Sequence, residues 1–351
     1  MSPAPDRYET LDGLRGFAAI AVALLHYDDR LMPGGHLAVD FFFVLSGFVL
    51  VRTYEPRFRA GLSPKRFMIA RLIRLYPLFA VGLLIGAAYL IQHQLRTQPG
   101  SLPDVILGLG FNTLMLPAPL RGLLFPINAP AWSLFMEVLA NLAMALALIR
   151  MRTRWLTVVS VLSAGLLLTA AWHTADSSVA AGASPLSGGS DWSKWYIGLL
   201  RTAVSFTIGM IIARLPEAQT RARSTWALAC WAILLALMAA HISLEGRLAY
   251  DAAFILLCSP MLVVVGRRIE PIVFLAPLGA WIGEVSYAVY AVHMPIAHAF
   301  AALTDRVGVG RFAAAPAYVL TVLLIAWMAV RWIDLPVRRW LSVKLVRVQP
   351  P

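Results

Sequence analysis

Asp12, Arg15 and His26 lie within or at the mouth of one apolar run, where ionisable side chains are seldom found. Such groups are costly inside a membrane span and face a protein interior or a watery cavity, so they mark positions where chemistry can occur. At 100° per residue, the eleven steps from Arg15 to His26 return to within about 20° of the start after a climb of about 16 Å. Arg15 and His26 therefore share a face, with Asp12, Ala19 and Val22 beside them. A cation near one end and an imidazole farther along thus share a stripe with small residues between them. The plainer alternative is a snorkelling Asp12 and Arg15 pair with an interfacial histidine.

Four further constellations carry polar chemistry. Ser46 and Gly47 end a run that begins at Asp40 and place a hydroxyl beside a residue open to close approach, which serves a ligand or helix packing. The Gly-x-Ser-x-Gly spacing of a hydrolase elbow is missing. Arg71 and Arg74, three apart, project to neighbouring helix positions and can either grip a phosphate or anchor a helix end. Trp132, Ser133 and Glu137 follow Pro130, and a carboxylate one turn into an apolar run must be paired or protonated. Ser286, Tyr290 and His293 fall on one helical face beside Tyr287, as a site or as a hydrogen-bonded helix contact. His293 and His298 diverge around the helix, which argues against a zinc pair. His36 lies at a span end, where a solvated histidine is expected.

The elements that must position these groups are membrane helices. Of 351 residues, 60% are hydrophobic and 14% charged. Apolar runs recur roughly at 11–28, 37–54, 75–92, 131–149, 155–173, 195–213, 225–242, 249–265, 277–301 and 312–333, each near the ~20 residues that span a bilayer. The pattern predicts an all-α integral membrane protein, a polytopic bundle of about ten transmembrane helices. Continuous apolarity, without period-two alternation, excludes a transmembrane β-barrel. The net charge of +12 would suggest nucleic acid for a soluble chain, but the basic residues cluster between apolar runs and report topology instead. The clusters at Arg52 to Arg74, Arg150 to Arg154, Arg214 to Arg223 and Arg267 to Arg268 all fall on one side if both termini are cytoplasmic. Leu102 to Leu116 is apolar, yet a full span there would invert every later loop, so it is expected to be re-entrant or interfacial on the outer side. Acidic Asp6, Glu9 and Asp12 precede the first run, unlike a cleavable signal, so the first helix is expected to be retained. Cys230 and Cys258 sit in apolar stretches and suggest neither a disulfide framework nor a metal motif. A single membrane domain over 1–351 is expected, with no appended soluble domain.

In order along the chain, these motifs resemble the membrane-bound acyltransferase 3 family of O-acyltransferases. Arg15, ten residues and His26 resemble its opening helix, and Phe42-Phe-Val-Leu-Ser46-Gly47 its Phe-Phe-x-x-Ser-Gly element. Arg71-x-x-Arg74 with Tyr76 and Pro77, Trp132-Ser-Leu-x-x-Glu137, Ser286-Tyr-x-x-Tyr290-x-x-His293, and Asp334-Leu-Pro336 complete the set, the last with Asp where Glu is commoner.

The resemblance implies transfer of an acyl group, often acetyl, from cytoplasmic acyl-CoA (acetyl-CoA) to a hydroxyl of a glycan, other glycoconjugate or small-molecule acceptor. It implies a multi-pass protein of a bacterial plasma membrane, among membrane lipids and without a metal. His26 would be general base, with Arg15 and Glu137 also catalytic: Arg15 stabilises the thioester oxygen or guides the donor, and Glu137 orients a histidine. Arg71, Arg74, Ser46 and Gly47 would meet the donor, and Asp12, Trp132, Ser133, Tyr290 and His293 the substrate. A separate extracytoplasmic transferase partner could receive the acyl group. The competing reading is a glycoconjugate transporter or flippase with these residues as a substrate or proton pathway, against which stand the lack of repeats and of paired broken helices. The topology is testable: a cysteine at position 152 should react with an impermeant maleimide only from the cytoplasmic side, and labelling from outside would overturn the assignment.

Overall fold

The computed structural model describes residues 8–97, 102–180, 183–216 and 221–345; Asp6 and Pro351 lie outside them. The helices are α1 (Glu9–Tyr27), α2 (Ala38–Arg59), α3 (Pro64–Thr97), α4 (Leu102–Thr113), α5 (Ala131–Leu146), α6 (Thr153–His173) and α7 (Ala175–Ala180). There follow α8 (Trp195–Ala213), α9 (Trp226–Ala239), α10 (Leu244–Ala253), α11 (Ser259–Gly266), α12 (Ala276–Val307), α13 (Arg311–Ala329) and α14 (Leu335–Leu345). π-helical turns at Phe254–Cys258 and Val330–Asp334 join α10 to α11 and α13 to α14. Strands β1 (Ala222–Ser224) and β2 (Ile269–Pro271) pair in parallel, with Arg223 opposite Glu270.

This is the architecture of a helical membrane protein. Each expected apolar run coincides with a helix, but six stretches among the described residues, not ten, are long and apolar enough to cross a membrane: Gly35–Arg59, Pro64–His93, Thr153–His173, Trp195–Ala213, Leu244–Gly266 and Arg311–Leu345. α5 and α9 are apolar but shorter, and α1 carries the charges of Glu9, Asp12 and Arg15. Exposed Val158, Val161, Leu162 and Leu166 give α6 an apolar outer face suited to lipid. Leu102–Thr113 is a 12-residue helix, which rises about 18 Å, well short of the ~30 Å hydrocarbon core.

The basic loops gather at one end of the bundle. Arg214, at the end of α8, donates to the carbonyls of Met151 (2.7 Å) and Ile149 (3.0 Å) and pairs with Glu55 at 3.3 Å. Arg267 reaches the Pro216 carbonyl at 2.9 Å. At the start of α1, the Glu9 N–H donates to Glu270 at 2.9 Å and the Thr10 hydroxyl to the Ile269 carbonyl at 2.6 Å. Burial there pushes the Glu270 carboxyl above its ordinary range, opposed by Arg221 at 2.7 Å. At the opposite end, the Leu124 N–H donates to the Ser190 carbonyl at 2.9 Å, which ties the segments after α4 and α7 together.

Two helix pairs approach closely through glycine. A Cβ on Gly16 would stand 2.8 Å from the Ile282 carbonyl carbon, and one on Gly283 2.7 Å from the Asp12 carbonyl oxygen, so α1 and α12 touch backbone to backbone. Between α2 and α8, a Cβ on Gly47 would lie 2.1 Å from the Phe206 oxygen and one on Gly209 2.0 Å from the Val44 oxygen.

The same α2 and α8 contact holds a buried ion pair: Arg201 meets Asp40 at 2.5 and 3.1 Å, with both side chains almost wholly buried. Arg201 also donates to the carbonyls of His36 (3.2 Å) and Gly188 (3.3 Å). Instead of being solvated, His36 lies 2.8 Å from buried Asp251, which also accepts from Ser184 at 2.5 Å. Removing one partner of such a pair leaves an uncompensated charge, at a cost of about 3–5 kcal/mol. Arg201→Met should therefore lower the thermal midpoint in detergent sharply, and adding Asp40→Leu should recover much of the loss; an Arg201→Met protein that melts like wild type would contradict this account.

Candidate functional site

A cavity of about 230 Å³ opens among α1, α2, α3, α5 and α12. Helix α2 lines it from Val39 to Leu50, a rise of about 16 Å. Phe42, Phe43, Leu45, Val49, Leu75 and Leu134 make most of its wall apolar, and the polar groups come from the sequence motifs: Arg15, Ser46, Arg71, Arg74, Ser133, Glu137, Ser286, Tyr287 and Tyr290. Helical spacing brings them inward: Ser133 and Glu137 are one turn apart on α5, and Ser286 and Tyr290 one turn apart on α12.

At the basic end, each arginine has a carboxylate partner. The Arg15 guanidinium donates to Asp12 at 3.1 Å, to the Gly283 carbonyl at 2.7 Å and to the Ser286 hydroxyl at 3.0 Å. Arg71 donates to Glu137 at 2.8 Å, and Ser46 to the same oxygen at 3.0 Å. The Nε–H of Arg71 is buried and has no acceptor among the described residues. Arg74 stands 3.5 Å from Asp334, which also pairs with Arg338 at 3.0 Å, and its guanidinium lies 5.9 Å from the centre of the Tyr287 ring. Pairing lowers the cost of burying these cations while leaving N–H groups for a ligand.

Toward the other end, the cavity closes on a hydroxyl pair. Ser133 Oγ and Tyr290 Oη are 2.5 Å apart, and each lies 3.0 Å from the Pro130 carbonyl. Beyond Tyr290 stands His293, ring centres 5.6 Å apart, and beyond it His26, with ring centres 5.0 Å apart. His293 Nε2 is 3.2 Å from His26 Nδ1. The face shared by Arg15 and His26 is thus the face that meets α12, Arg15 at Ser286 and His26 at His293.

These contacts set where several of the expected site residues lie. Glu137 meets no histidine; it holds Arg71 and Ser46. Arg15 is tied at the basic end by Asp12, Ser286 and the Gly283 carbonyl, about 16 Å along α1 from His26. Gly47 faces Phe206 on α8 instead of the cavity, because one residue step from Ser46 turns about 100° around the helix. Trp132 likewise points away, packing on Gly198 and on Gly189, whose φ of +134° and contact with the indole both require glycine. Asp12 is the partner of Arg15, and neither Asp12, His26 nor His293 lines the cavity. Arg201 and Asp251 belong to none of the sequence motifs although each is an ionisable group in an apolar run, the signal that marked Arg15 and Glu137. Among the described residues no three His, Cys, Asp or Glu side chains converge as metal ligands.

Comparison with known proteins gives the chain's relatives. The chain is 36% identical over 184 residues to protein 2 in the picA locus of Rhizobium radiobacter, covering 48% of this chain and 96% of that one. It is 24% identical over 318 residues to the peptidoglycan O-acetyltransferase OatA of Listeria monocytogenes, covering 82% of this chain and 49% of the relative, so it spans about half of that protein's length. It is 31% identical over 157 residues to the acyltransferase MdmB of Streptomyces mycarofaciens, covering 39% of this chain and 38% of the relative. No solved structure matches. The sequence profile described as an acyltransferase domain matches residues 8–331, all but the two ends of the 351-residue chain, which therefore belongs to this acyltransferase family.

Proposed function

We propose that the protein is a membrane O-acyltransferase. It takes an acyl group, in the first instance acetyl, from acyl-CoA at its basic, cytoplasmic end and transfers it to a hydroxyl of a sugar or other acceptor, with His26 as general base. The observation that carries this reading is the cavity, with arginines at one end and the histidine pair behind the other. Its volume of about 230 Å³ is below the ~300–1,000 Å³ of a site that encloses a drug-sized ligand. It suits a narrow thioester arm and leaves a bulky nucleotide outside. Arg71 and Arg74 would grip the donor's phosphates as it enters, and the unpartnered Arg71 Nε–H is a donor ready for a ligand oxygen. Arg15 guides the arm past Ser286.

The thioester then meets Tyr290 and Ser133, which stand between the cavity and the imidazoles. For transfer, this pair turns aside and the acceptor approaches His26. Its hydroxyl proton passes to the imidazole, the oxygen bonds to the thioester carbon, and the carbon–sulfur bond breaks. The sulfur leaves with the electron pair and takes up the proton. The glycan acceptor class draws support from the name of the Listeria relative, a peptidoglycan O-acetyltransferase.

The test is thiol release from acetyl-CoA by purified protein in lipid, with a panel of glycan and small-molecule acceptors. His26→Ala should reduce acceptor-dependent release by about 10²- to 10⁴-fold, whereas Arg71→Ala and Arg74→Ala should chiefly raise the KM for the donor. Full transfer by a folded His26→Ala protein would overturn the mechanism, and movement of a glycoconjugate without consumption of acyl-CoA would favour a transporter.

A further inference from the structure

His293 is fully buried, and both of its ring nitrogens are engaged. Nδ1 lies 2.7 Å from the Tyr290 carbonyl and 3.2 Å from that of Val289. Carbonyl oxygens only accept, so Nδ1 carries the hydrogen and the neutral ring keeps its lone pair on Nε2. That lone pair faces His26 Nδ1 at 3.2 Å. His26 Nδ1 is also 2.9 Å from the Val22 carbonyl, a second group that can only accept. Both neighbours therefore require a hydrogen on His26 Nδ1. The opposite tautomer would turn its lone pair against a carbonyl oxygen and another imidazole lone pair.

We propose that His293 is a positioning residue that fixes the tautomer of His26, its Nε2 accepting the His26 Nδ1–H so that His26 Nε2 is left unprotonated to receive the acceptor's proton. The proposal rests on the acyl-transfer reading above and selects between the two histidines. His293 has no free nitrogen with which to act as base. His26 is only partly buried, and its Nε2 has no hydrogen-bond partner among the described residues.

The surrounding helices hold this alignment. Tyr318 on α13 lies within hydrogen-bond reach of the carbonyls of Ala23 (3.2 Å) and His293 (3.3 Å), bridging α1 to α12 beside the two rings. When the acceptor's proton arrives at His26 Nε2, Nδ1 keeps its hydrogen, donated to the Val22 carbonyl and the His293 lone pair, and both stabilise the imidazolium. The acceptor oxygen bonds to the acyl carbon, the thioester's electron pair leaves on sulfur, and the Nε2 proton passes to that thiolate. His26 returns to its starting tautomer.

The test combines ¹⁵N NMR of histidine-labelled protein in lipid with kinetics. Subtracting the His26→Ala spectrum assigns the His26 signals. In the wild type its Nε2 should give the shift of an unprotonated ring nitrogen and its Nδ1 that of a protonated one; in His293→Leu, a population protonated on Nε2 should appear. His293→Leu should lower kcat by about 10- to 100-fold, the scale on which loss of a ligand-orienting partner is felt, without changing the KM for acetyl-CoA. His293→Gln, whose amide oxygen reaches the place of Nε2 and accepts there, should recover most of the loss; His293→Asn, too short to do so, should not. A wild-type His26 protonated on Nε2, or full kcat in a folded His293→Leu protein, would overturn the assignment. Full transfer by His26→Ala would instead overturn the general-base reading, whatever tautomer the spectra report.

Discussion

The site depends on how closely α1 can lie against α12. Gly16 and Gly283 remove the side chains that would hold the two helices apart, and each backbone rests against the other. In lipid no hydrophobic force favours one helix contact over contact with acyl chains, so packing of this closeness and the polar bonds it permits supply the association. The contact has two functional ends. Near the basic end it lets Arg15 reach Ser286 and the Gly283 carbonyl. Some 16 Å farther along it brings His26 to His293. A small residue with a Cβ at either glycine would separate the helices at both places.

Around that axis, buried charges are paired across neighbouring helices. Glu137 joins α2, α3 and α5 through Ser46 and Arg71. Asp334, at the end of a π-helical turn, joins α3 to the last helices through Arg74 and Arg338. The π-helical turn between α10 and α11 follows closely on Asp251, which gathers His36 and Ser184 at the opposite end. Both irregular turns thus adjoin a buried carboxylate that binds neighbouring elements, in keeping with the frequent occurrence of such turns at functional positions. With Asp40 and Arg201 clamping α2 to α8, these pairs tie together the helices that surround the cavity.

The separation of the two ends has a chemical consequence. Arginines suited to phosphate stand where the basic loops converge, and the imidazole pair stands beyond Tyr290 and Ser133. In the proposed reaction a donor entering from the basic end is held by charge before its reactive group nears the histidines. In that proposed reaction the Ser133 and Tyr290 pair, between the cavity and His293, separates the donor's entry from the imidazoles, a division that suits transfer to an acceptor over hydrolysis.

Helical periodicity and apolar length are local properties, and what rests on them could be read from the chain alone. The membrane-helical character, the clustering of basic loops, the common face of Arg15 and His26 and that of Ser286, Tyr290 and His293 follow from spacing within single helices. The order of motifs was likewise enough to point to the acyltransferase family that the profile match establishes. Partners across the bundle were a different matter. His26 and His293 are 267 residues apart, Arg71 and Glu137 66, and Asp40 and Arg201 161. Which face of α5 meets which face of α3 depends on the packing of every helix between them. Only the tertiary structure therefore decided that Glu137 holds an arginine and not a histidine, that Gly47 and Trp132 serve α8, and that the cavity stops one tyrosine short of the imidazoles.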